Sequence, residues 1–357
     1  MTLSGTRGLV RLSKNPACDL LAAMAVARVR EPDFYRQVTG REYEGEYGER
    51  MSARRRGAKF EANLHANDAA LLRGVVGPPF GHDPNSMWVR DLGQEVPGPP
   101  TTMRAHRLVR CRRIIEDLAA GRRVPDLLIQ PQLRLPTGPG RFDFEHVSPD
   151  YMVLDPAAGM YVPGEEKSFV VRDDVADPGD LDLARRQAAA QILALRAEAA
   201  RAGLEHRVRD RALFVFATPY GLRPAAAREE MLHAETHAVQ RAVDVLGRVR
   251  EQLAAIGPDE PPLAMLADAL RTHFADSCLG TCILADHCAQ QHQGTARVLG
   301  DAAARTLGPT TSRQDLRRLL RARAETLLPA QRTLRAQLLE AAAVLGVDTP
   351  QLLRDLA

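Results

Sequence analysis

The stretch PDYMVLDPAAGMYVPGEEKSF (residues 149–169) decides how this chain folds around its candidate site. Two apolar segments flank the turn sequence PAAG, which predicts an antiparallel β-hairpin. Because side chains alternate along a strand, Glu165 and Lys167 are expected on one face and Glu166 on the other. The hairpin brings Asp150 close to Glu165. Two carboxylates and one lysine are therefore predicted to converge on one small volume.

Such a cluster suits a hard divalent cation. Two carboxylates can hold Mg²⁺ or Mn²⁺, which keeps several water ligands and lowers the pKa of a bound water. A neighbouring lysine can orient or deprotonate that water, or stabilise charge on a phosphate. The alternative is a surface hairpin with solvated charges. The rarity of lysine disfavours it, since three of the 48 basic residues are lysines: Lys14, Lys59 and Lys167.

Pro149-Asp150 and the triplet Glu165-Glu166-Lys167 resemble the signature of the PD-(D/E)xK nuclease superfamily. The predicted order of elements is also similar to the core of that superfamily. It comprises a helix, three strands, a helix and a strand, with the strands and second helix at 127–135, 142–155, 160–171, 180–203 and 212–219. The resemblance implies a mixed α/β fold, in which helices flank a small central mixed sheet and the C-terminal part is mainly helical.

The segment RRRGAKFEANL (residues 54–64) resembles the RecB-like branch, in which an Arg-Gly pair precedes an acid or histidine on a helix. By resemblance, Glu61 is a further metal ligand or a partner of metal-bound water. Gln187 matches the glutamine of a Q-xxx-Y motif and would support the site, whereas Gln191 stands where that motif has tyrosine. Glu61 and Gln187 otherwise fit an ordinary helix surface. The implied metal ligands are Glu61, Asp150, Glu165 and the main-chain carbonyl of Glu166.

Four of the five cysteines predict a second site: Cys18, Cys278, Cys282 and Cys288. One N-terminal and three C-terminal cysteines around such a core resemble iron–sulfur RecB-like nucleases, including CRISPR-adaptation exonucleases and AddB-type subunits. The resemblance implies a [4Fe–4S] cluster, although the first gap here is three residues instead of two. Structural zinc, with His287 or His292 replacing one thiolate, and plain buried cysteines remain alternatives. Cys111 is expected to be a structural thiol.

Arginine-rich segments suggest a nucleic-acid partner. They are the run at 54–56, the arginines at 110, 112 and 113, and the helical segment 313–335. Arginine binds phosphates well, and the low aromatic content of 4% predicts contacts with the backbone rather than with bases. The alternative is solvated helix faces in an arginine-rich protein. The net charge of +3 does not by itself identify a nucleic-acid partner.

The 357 residues are divided into four expected units. They are an N-terminal helix with a cluster cysteine (1–50), a nuclease core (51–220), a helical region with the iron–sulfur cysteines (221–300) and an Arg-rich tail (301–357). Further helices are expected at 15–30, 52–74, 101–121, 224–256, 261–275, 312–326, 330–345 and 349–356. No apolar run has the ~20 residues that a membrane span requires, and no signal peptide is recognised, which predicts a cytoplasmic protein.

These features predict a metal-dependent DNA nuclease of the iron–sulfur RecB-like kind, acting in DNA repair, recombination or anti-phage defence. DNA is the expected partner, together with a helicase or a defence-complex protein. An alternative of another class is a catalytically silent DNA-binding or scaffold subunit with the same fold. A third is an effector that is active only beside a partner protein.

Overall fold

The computed structural model describes residues 6–27, 30–43, 51–95, 100–138, 144–170, 178–218, 222–256, 270, 272–275, 277–278, 282–291, 311–344, 348 and 351. The strands are β1 (Val89–Asp91), β2 (Leu127–Ile129), β3 (Leu133–Pro136), β4 (Phe144–Val147), β5 (Tyr151–Asp155), β6 (Met160–Val170), β7 (Arg211–Ala217) and β8 (Arg228–Met231). The helices are α1 (Thr6–Lys14), α2 (Asp19–Ala27), α3 (Glu31–Thr39), α4 (Met51–Val76), α5 (Pro100–Ala119), α6 (Pro178–Ala200), α7 (His233–Ile256), α8 (Ala285–Gln291), α9 (Arg313–Arg321) and α10 (Pro329–Val344).

A mixed six-stranded sheet in the order β1-β2-β5-β6-β7-β8 forms the centre of the molecule. β2, β5 and β6 form an antiparallel set, and β7 then pairs parallel to β6. A parallel neighbour requires a crossover, and α6 provides it. The mixed α/β class and the sheet flanked by helices are therefore confirmed.

Apolar side chains cover both faces of the sheet. On one face, Phe214 and Phe216 of β7 join a core built with α1, α2, α6 and α7. On the other, Leu213 and Val215 pack with the apolar side of α4. The continuous apolar run ALFVFATP thus forms a strand that is buried on both faces, as predicted. The first core also includes Leu12 and Ile283, so it joins residues of the predicted units 1–50, 51–220 and 221–300.

Two predicted strands are interrupted. The strand expected at 127–135 is split into β2 and β3, because Gln130 has a φ of 50° and Pro131 has no N–H for the ladder. The strand expected at 142–155 is split into β4 and β5 at Ser148-Pro149, where Pro149 likewise has no N–H for the ladder. β3 and β4 pair only with each other, as a separate two-stranded sheet.

Several helix predictions also need correction. The helix expected at 224–256 begins only at His233, because residues 228–231 pair with β7 as β8. Of the helix expected at 261–275, residues 272–275 are not helical and most of the rest lies outside the described residues. α9 ends at Arg321, short of 326. The helix expected at 349–356 lies outside the described residues, apart from residue 351.

α4 consists of two segments that meet directly after His65. Asn67, Asp68 and Ala69 adopt left-handed φ values of 52°, 56° and 55°, which interrupt the helical hydrogen-bond pattern. The first segment carries Glu61 and packs against β6. Both segments contribute buried apolar side chains to the core on this face of the sheet, Phe60 and Leu64 before the kink and Leu72 and Val76 after it.

Candidate active site

The β5–β6 hairpin has the predicted turn and register. Asp155 pairs with Met160, and Tyr151 pairs with Gly164, so the turn falls on PAAG. The Tyr151 ring crosses Gly164, where an added Cβ would lie 2.1 Å from ring carbons. Glycine is therefore required directly before the Glu-Glu-Lys triplet. One residue beyond the ladder, Asp150 Oδ2 accepts a 2.7 Å hydrogen bond from the backbone N–H of Glu166.

On the α6 side of β6, Glu165 lies in a closed network. Lys167 Nζ donates to Glu165 Oε2, and it also donates to Gln187 Oε1 at 3.1 Å. Gln191 Nε2 donates to the other carboxylate oxygen, Glu165 Oε1. Glu165 and Gln191 are each 1% exposed. The shared face of Glu165 and Lys167, and the nearness of Gln187, thus agree with the sequence, whereas the contact of Gln191 was not expected.

On the α4 side of β6, Glu166 contacts a histidine that the sequence analysis did not single out. His65 Nε2 lies 2.8 Å from Glu166 Oε1. Glu166 Oε2 is buried and has no hydrogen-bond partner among the described residues. His65 follows Glu61 by four residues, so both lie on one side of α4. That spacing was the signal available in the sequence.

Glu61 belongs to the same charge cluster. It is half-buried, and its negative charge raises the pKa of Lys167, Glu166 and His65. The structure therefore brings Glu61 from α4 to the electrostatic neighbourhood of the hairpin acids. The predicted side chains therefore lie around residues 165–167 of β6, with Glu165, Lys167 and Gln187 on the α6 side and Glu166 on the α4 side.

Burial and crowding of negative charge control ionisation in this cluster. Burial raises the pKa of Glu165 to about 7; the Asp150 charge adds to this effect and Lys167 opposes it. Burial likewise raises the pKa of Glu166 to about 7, opposed by His65. Burial would lower the pKa of Lys167, but Glu165 and Asp150 outweigh it, and the net shift is upward. Lys167 is consequently a cation at neutral pH.

This donor set fits a divalent cation by its chemistry. Burial above all raises the pKa values of Glu165 and Glu166, and a bound cation would stabilise both carboxylates and the unpartnered Glu166 oxygen. Asp150, Glu165 and the Glu166 carbonyl supply the few oxygen ligands that suit a partly hydrated Mg²⁺. No three His, Cys, Asp or Glu side chains of the described residues are already arranged as a cage for a metal ion.

The four candidate cluster cysteines approach one another although about 260 residues separate Cys18 from Cys278. Asn15 Nδ2 and the Ala275 N–H donate to Cys278 Sγ at 3.3 and 3.4 Å. Burial raises the pKa of Cys18, and the Cys278 charge raises it further. Cys18 directly precedes α2, whereas the helix expected at 15–30 would have included it.

The thiols also act on one another electrostatically. Burial raises the pKa of Cys288 to about 12, with added effects of Cys18 and Cys278. Burial also raises the pKa of Cys282, to which the other three thiols contribute. Burial and mutual repulsion thus disfavour thiolates here unless a bound metal ion or cluster compensates their charge, and the two N–H groups directed at Cys278 Sγ are the contacts that would support a thiolate. His292 lies outside the described residues.

Cys111 is separate from these thiols and is a core residue. It is 1% exposed on α5 and packs among apolar side chains. Burial raises its pKa to about 12. This environment keeps the thiol protonated and agrees with the structural role expected for it.

The basic segments differ in whether their arginines form ion pairs within the protein or are exposed. Arg110 pairs with Glu95, and Arg112 forms two bonds of 2.6 and 2.8 Å with the buried carboxylate of Glu198. Those guanidinium groups are engaged within the protein instead of facing a phosphate. Arg55 of the 54–56 run is exposed; the side chain of residue 54 is outside the described part.

Searches with protein-family models, curated proteins and solved structures found no match to this chain. In the described part of the chain, no helix combines the length and apolarity that crossing a bilayer requires. The hairpin, the two helices beside it and the cysteine group are the parts of the molecule that bear on its function.

Proposed function

We propose that this chain is a metal-dependent DNA nuclease of the PD-(D/E)xK type that hydrolyses phosphodiester bonds. The observation that carries the proposal is the hairpin, in which Asp150 accepts a hydrogen bond from the Glu166 N–H and acts electrostatically on Glu165 and Lys167. The order β2, β5, β6, α6, β7, preceded by helices, supports the same assignment. The chemistry of the side chains suits a phosphodiester substrate.

Asp150, Glu165 and the Glu166 carbonyl would hold Mg²⁺ or Mn²⁺, and Glu61 would complete the acidic set. A bound cation supplies an acidified water and neutralises charge on the phosphate. Lys167 keeps its proton, so it orients the water or donates to a phosphate oxygen instead of removing a proton. Gln187 fixes the lysine Nζ through its 3.1 Å contact.

The overall reaction adds water across one phosphodiester bond. A bond forms between the water oxygen and phosphorus, and the P–O3′ bond breaks. One water proton is transferred to the departing 3′-oxygen, while the other stays on or leaves the new phosphate. The products are a 5′-phosphate and a 3′-hydroxyl, as the resemblance implies.

Cleavage of end-labelled DNA with Mg²⁺ or Mn²⁺ tests the proposal. Glu165→Ala and Lys167→Ala should each abolish metal-dependent cleavage while DNA binding persists. Glu229→Ala, on the edge strand β8 two strands away from β6, is the matched acidic control and should cleave as the wild type does. Equal cleavage by the wild type and the Glu165→Ala variant would contradict the proposal.

A catalytically silent DNA-binding subunit is the second candidate. The specific observation in its favour is that both carboxylate oxygens of Glu165 already have partners, Lys167 and Gln191. A carboxylate occupied in this way needs to exchange a partner before it binds a metal ion. A wild-type protein that binds DNA but never cleaves DNA or RNA with Mn²⁺ would favour this candidate.

We further propose that Cys18, Cys278, Cys282 and Cys288 hold a [4Fe–4S] cluster with a structural role. A link between Cys18 and the C-terminal cysteines closes a long loop and restricts the unfolded chain. Anaerobically purified protein should show broad absorbance near ~400 nm and about four irons per chain. Cys282→Ala should lose both, and Cys111→Ala should keep both. A colourless protein that contains one zinc ion per chain would support the zinc alternative instead.

A further inference from the structure

Asn15 is a buried polar residue whose side-chain hydrogen bonds reach the C-terminal cysteine segment. It lies between α1 and α2, outside both helices, and is 4% exposed. Its Nδ2 donates to the His273 carbonyl at 2.7 Å and to Cys278 Sγ at 3.3 Å. Its Oδ1 lies 3.0 Å from His273 Nδ1. Burying an amide costs free energy unless its polar atoms are hydrogen-bonded, and here residues 258 and 263 positions away provide the partners.

These contacts allow one orientation of the Asn15 amide. Its NH₂ group faces a carbonyl oxygen and a sulfur, which both accept hydrogen bonds, whereas an oxygen in that place would be repelled. His273 Nδ1 must then carry a hydrogen, which it donates to Asn15 Oδ1. His273 therefore fixes the amide through both its ring and its carbonyl, and the amide directs one N–H at Cys278 Sγ.

The same short segment contacts two of the candidate cluster thiols. The Ala275 N–H donates to Cys278 Sγ at 3.4 Å, so this sulfur receives one hydrogen bond from its own segment and one from Asn15. Burial raises the pKa of Cys18, and a hydrogen bond with the His273 main chain opposes that rise. Residues 15–18 and 273–278 are therefore joined at the thiols by hydrogen bonds of the protein itself.

Hydrogen bonds to a ligating sulfur have a defined effect on an iron–sulfur cluster. A buried thiolate gains more from an N–H dipole than an exposed one does, because little water screens the interaction. The gain is larger when the cluster carries an additional electron, so an N–H donor raises the reduction potential. Such a donor also holds the sulfur in place and increases the affinity for the metal.

We propose that Asn15, fixed by His273, is a positioning residue that holds Cys278 Sγ as a metal ligand and raises the reduction potential of the bound cluster. This inference rests on the proposed [4Fe–4S] cluster and names a residue that controls it. Asn15 suits this role because it brings a donor from the N-terminal part of the chain to a C-terminal cysteine.

The test compares Asn15→Leu with Asn63→Leu in anaerobically purified protein. Asn15→Leu removes the N–H donor at a similar side-chain size, and the control removes an amide that donates to the Leu222 carbonyl at 2.8 Å. The reduction potential is measured from the visible absorbance while dithionite supplies one electron to each cluster. The rate of iron release to a chelator is measured separately. Thermal unfolding verifies that the variants are folded.

Asn15→Leu should lower the equilibrium constant for one-electron reduction about tenfold, which corresponds to ~59 mV. Iron release should be about tenfold faster. The control should match the wild type in both measurements. Asn15→Asp keeps the acceptor for His273 and replaces only the donor, so it tests the same contact if Asn15→Leu does not fold. It should lower the potential at least as much, because its charge also opposes reduction.

An unchanged potential in the Asn15 variants would overturn this inference, even with faster iron release, because a purely structural asparagine would give that result. Failure of the proposed cluster is recognised separately, by iron analysis of the wild type. If the wild type holds zinc instead, the zinc should leave Asn15→Leu about tenfold faster, and equal release rates would overturn the inference. A wild type that binds neither metal would overturn both proposals.

Discussion

The two faces of β6 are built differently, although their acidic residues are neighbours in sequence. On the α6 face, Glu165 has a partner for each carboxylate oxygen. On the α4 face, Glu166 has His65 on one oxygen and no partner on the other among the described residues. The closed face holds the Glu165 carboxylate in position, whereas the open face leaves one Glu166 oxygen without a hydrogen-bond partner in the described part of the chain.

The difference extends to the surroundings of the two faces. Gln187 and Gln191 of α6 supply neutral amides to the closed face. α4 supplies titratable groups, Glu61 and His65, to the open face. Under the proposed function, α6 would position Glu165 and Lys167, and α4 would add Glu61 and His65 to the same site.

Among substitutions on the closed face, loss of Lys167 should reduce DNA cleavage the most. Lys167→Met removes the cation beside Glu165, so we expect single-turnover cleavage to fall about 10²–10³-fold. The pKa of Glu165 should rise further, because Lys167 holds it down. The optimum of the pH–rate profile should move upward. The matched control is Lys14→Met, which breaks the ion pair with Asp182 away from the hairpin; similar losses in both variants would contradict the assignment.

Loss of the Gln191 amide should have the next largest effect. Gln191→Leu leaves Glu165 Oε1 without a donor, and we expect cleavage or Mn²⁺ affinity to fall roughly 10–100-fold. Gln191 also lowers the pKa of Glu165, so the acidic limb of the pH–rate profile should shift upward. If the role of Gln191 were purely structural, the acidic limb of the pH–rate profile would not shift. Gln240→Leu on α7 is the matched surface control.

A single substitution on the open face should reduce DNA cleavage less than one on the closed face. His65→Phe removes the 2.8 Å contact with Glu166 and the influence that lowers the pKa of that carboxyl group. We expect about a tenfold decrease in kcat/KM. If His65→Phe proved more damaging than Lys167→Met, the assignment of the two faces would have to be reversed.

The stability of the metal-free protein should depend on pH in a defined direction. Glu165 and Glu166 have pKa values raised from 4.5 to about 7, so their contribution to folding is complete below about 4.5 and lost as the pH rises through about 7. The melting temperature should therefore be roughly 5 °C lower at a pH of about 8 than at about 5.5. Mg²⁺ should restore it at the higher pH. A metal-free protein that is more stable at the higher pH would contradict the raised pKa values.

Local patterns in the sequence were sufficient for much of the fold. Alternation placed Glu165 and Lys167 on one face, and the PAAG turn set the register that brings Asp150 beside them. The apolar run of β7 also predicted a strand buried on both faces. These features depend on neighbours within a few residues, which a sequence displays directly.

Other features depend on packing between distant elements and could not be predicted. Gln191 and His65 were missed because their partners are known only once α6 and α4 are placed on β6. Arg112 had the appearance of a phosphate ligand until Glu198, 86 residues away, was seen to bind it. The strand break at Gln130 depends on a left-handed backbone conformation, which the presence of glutamine does not predict.

The central claim is that the carboxylates at the end of β6 bind a divalent cation. The most direct test is a Mn²⁺ titration followed by electron paramagnetic resonance, with wild-type protein beside Glu165→Gln and the control Glu229→Gln. The wild type and the control should remove Mn²⁺ from the free-ion signal with the same affinity, and Glu165→Gln should bind at least about tenfold more weakly. Equal binding by all three proteins, or no binding by any of them, would contradict the claim.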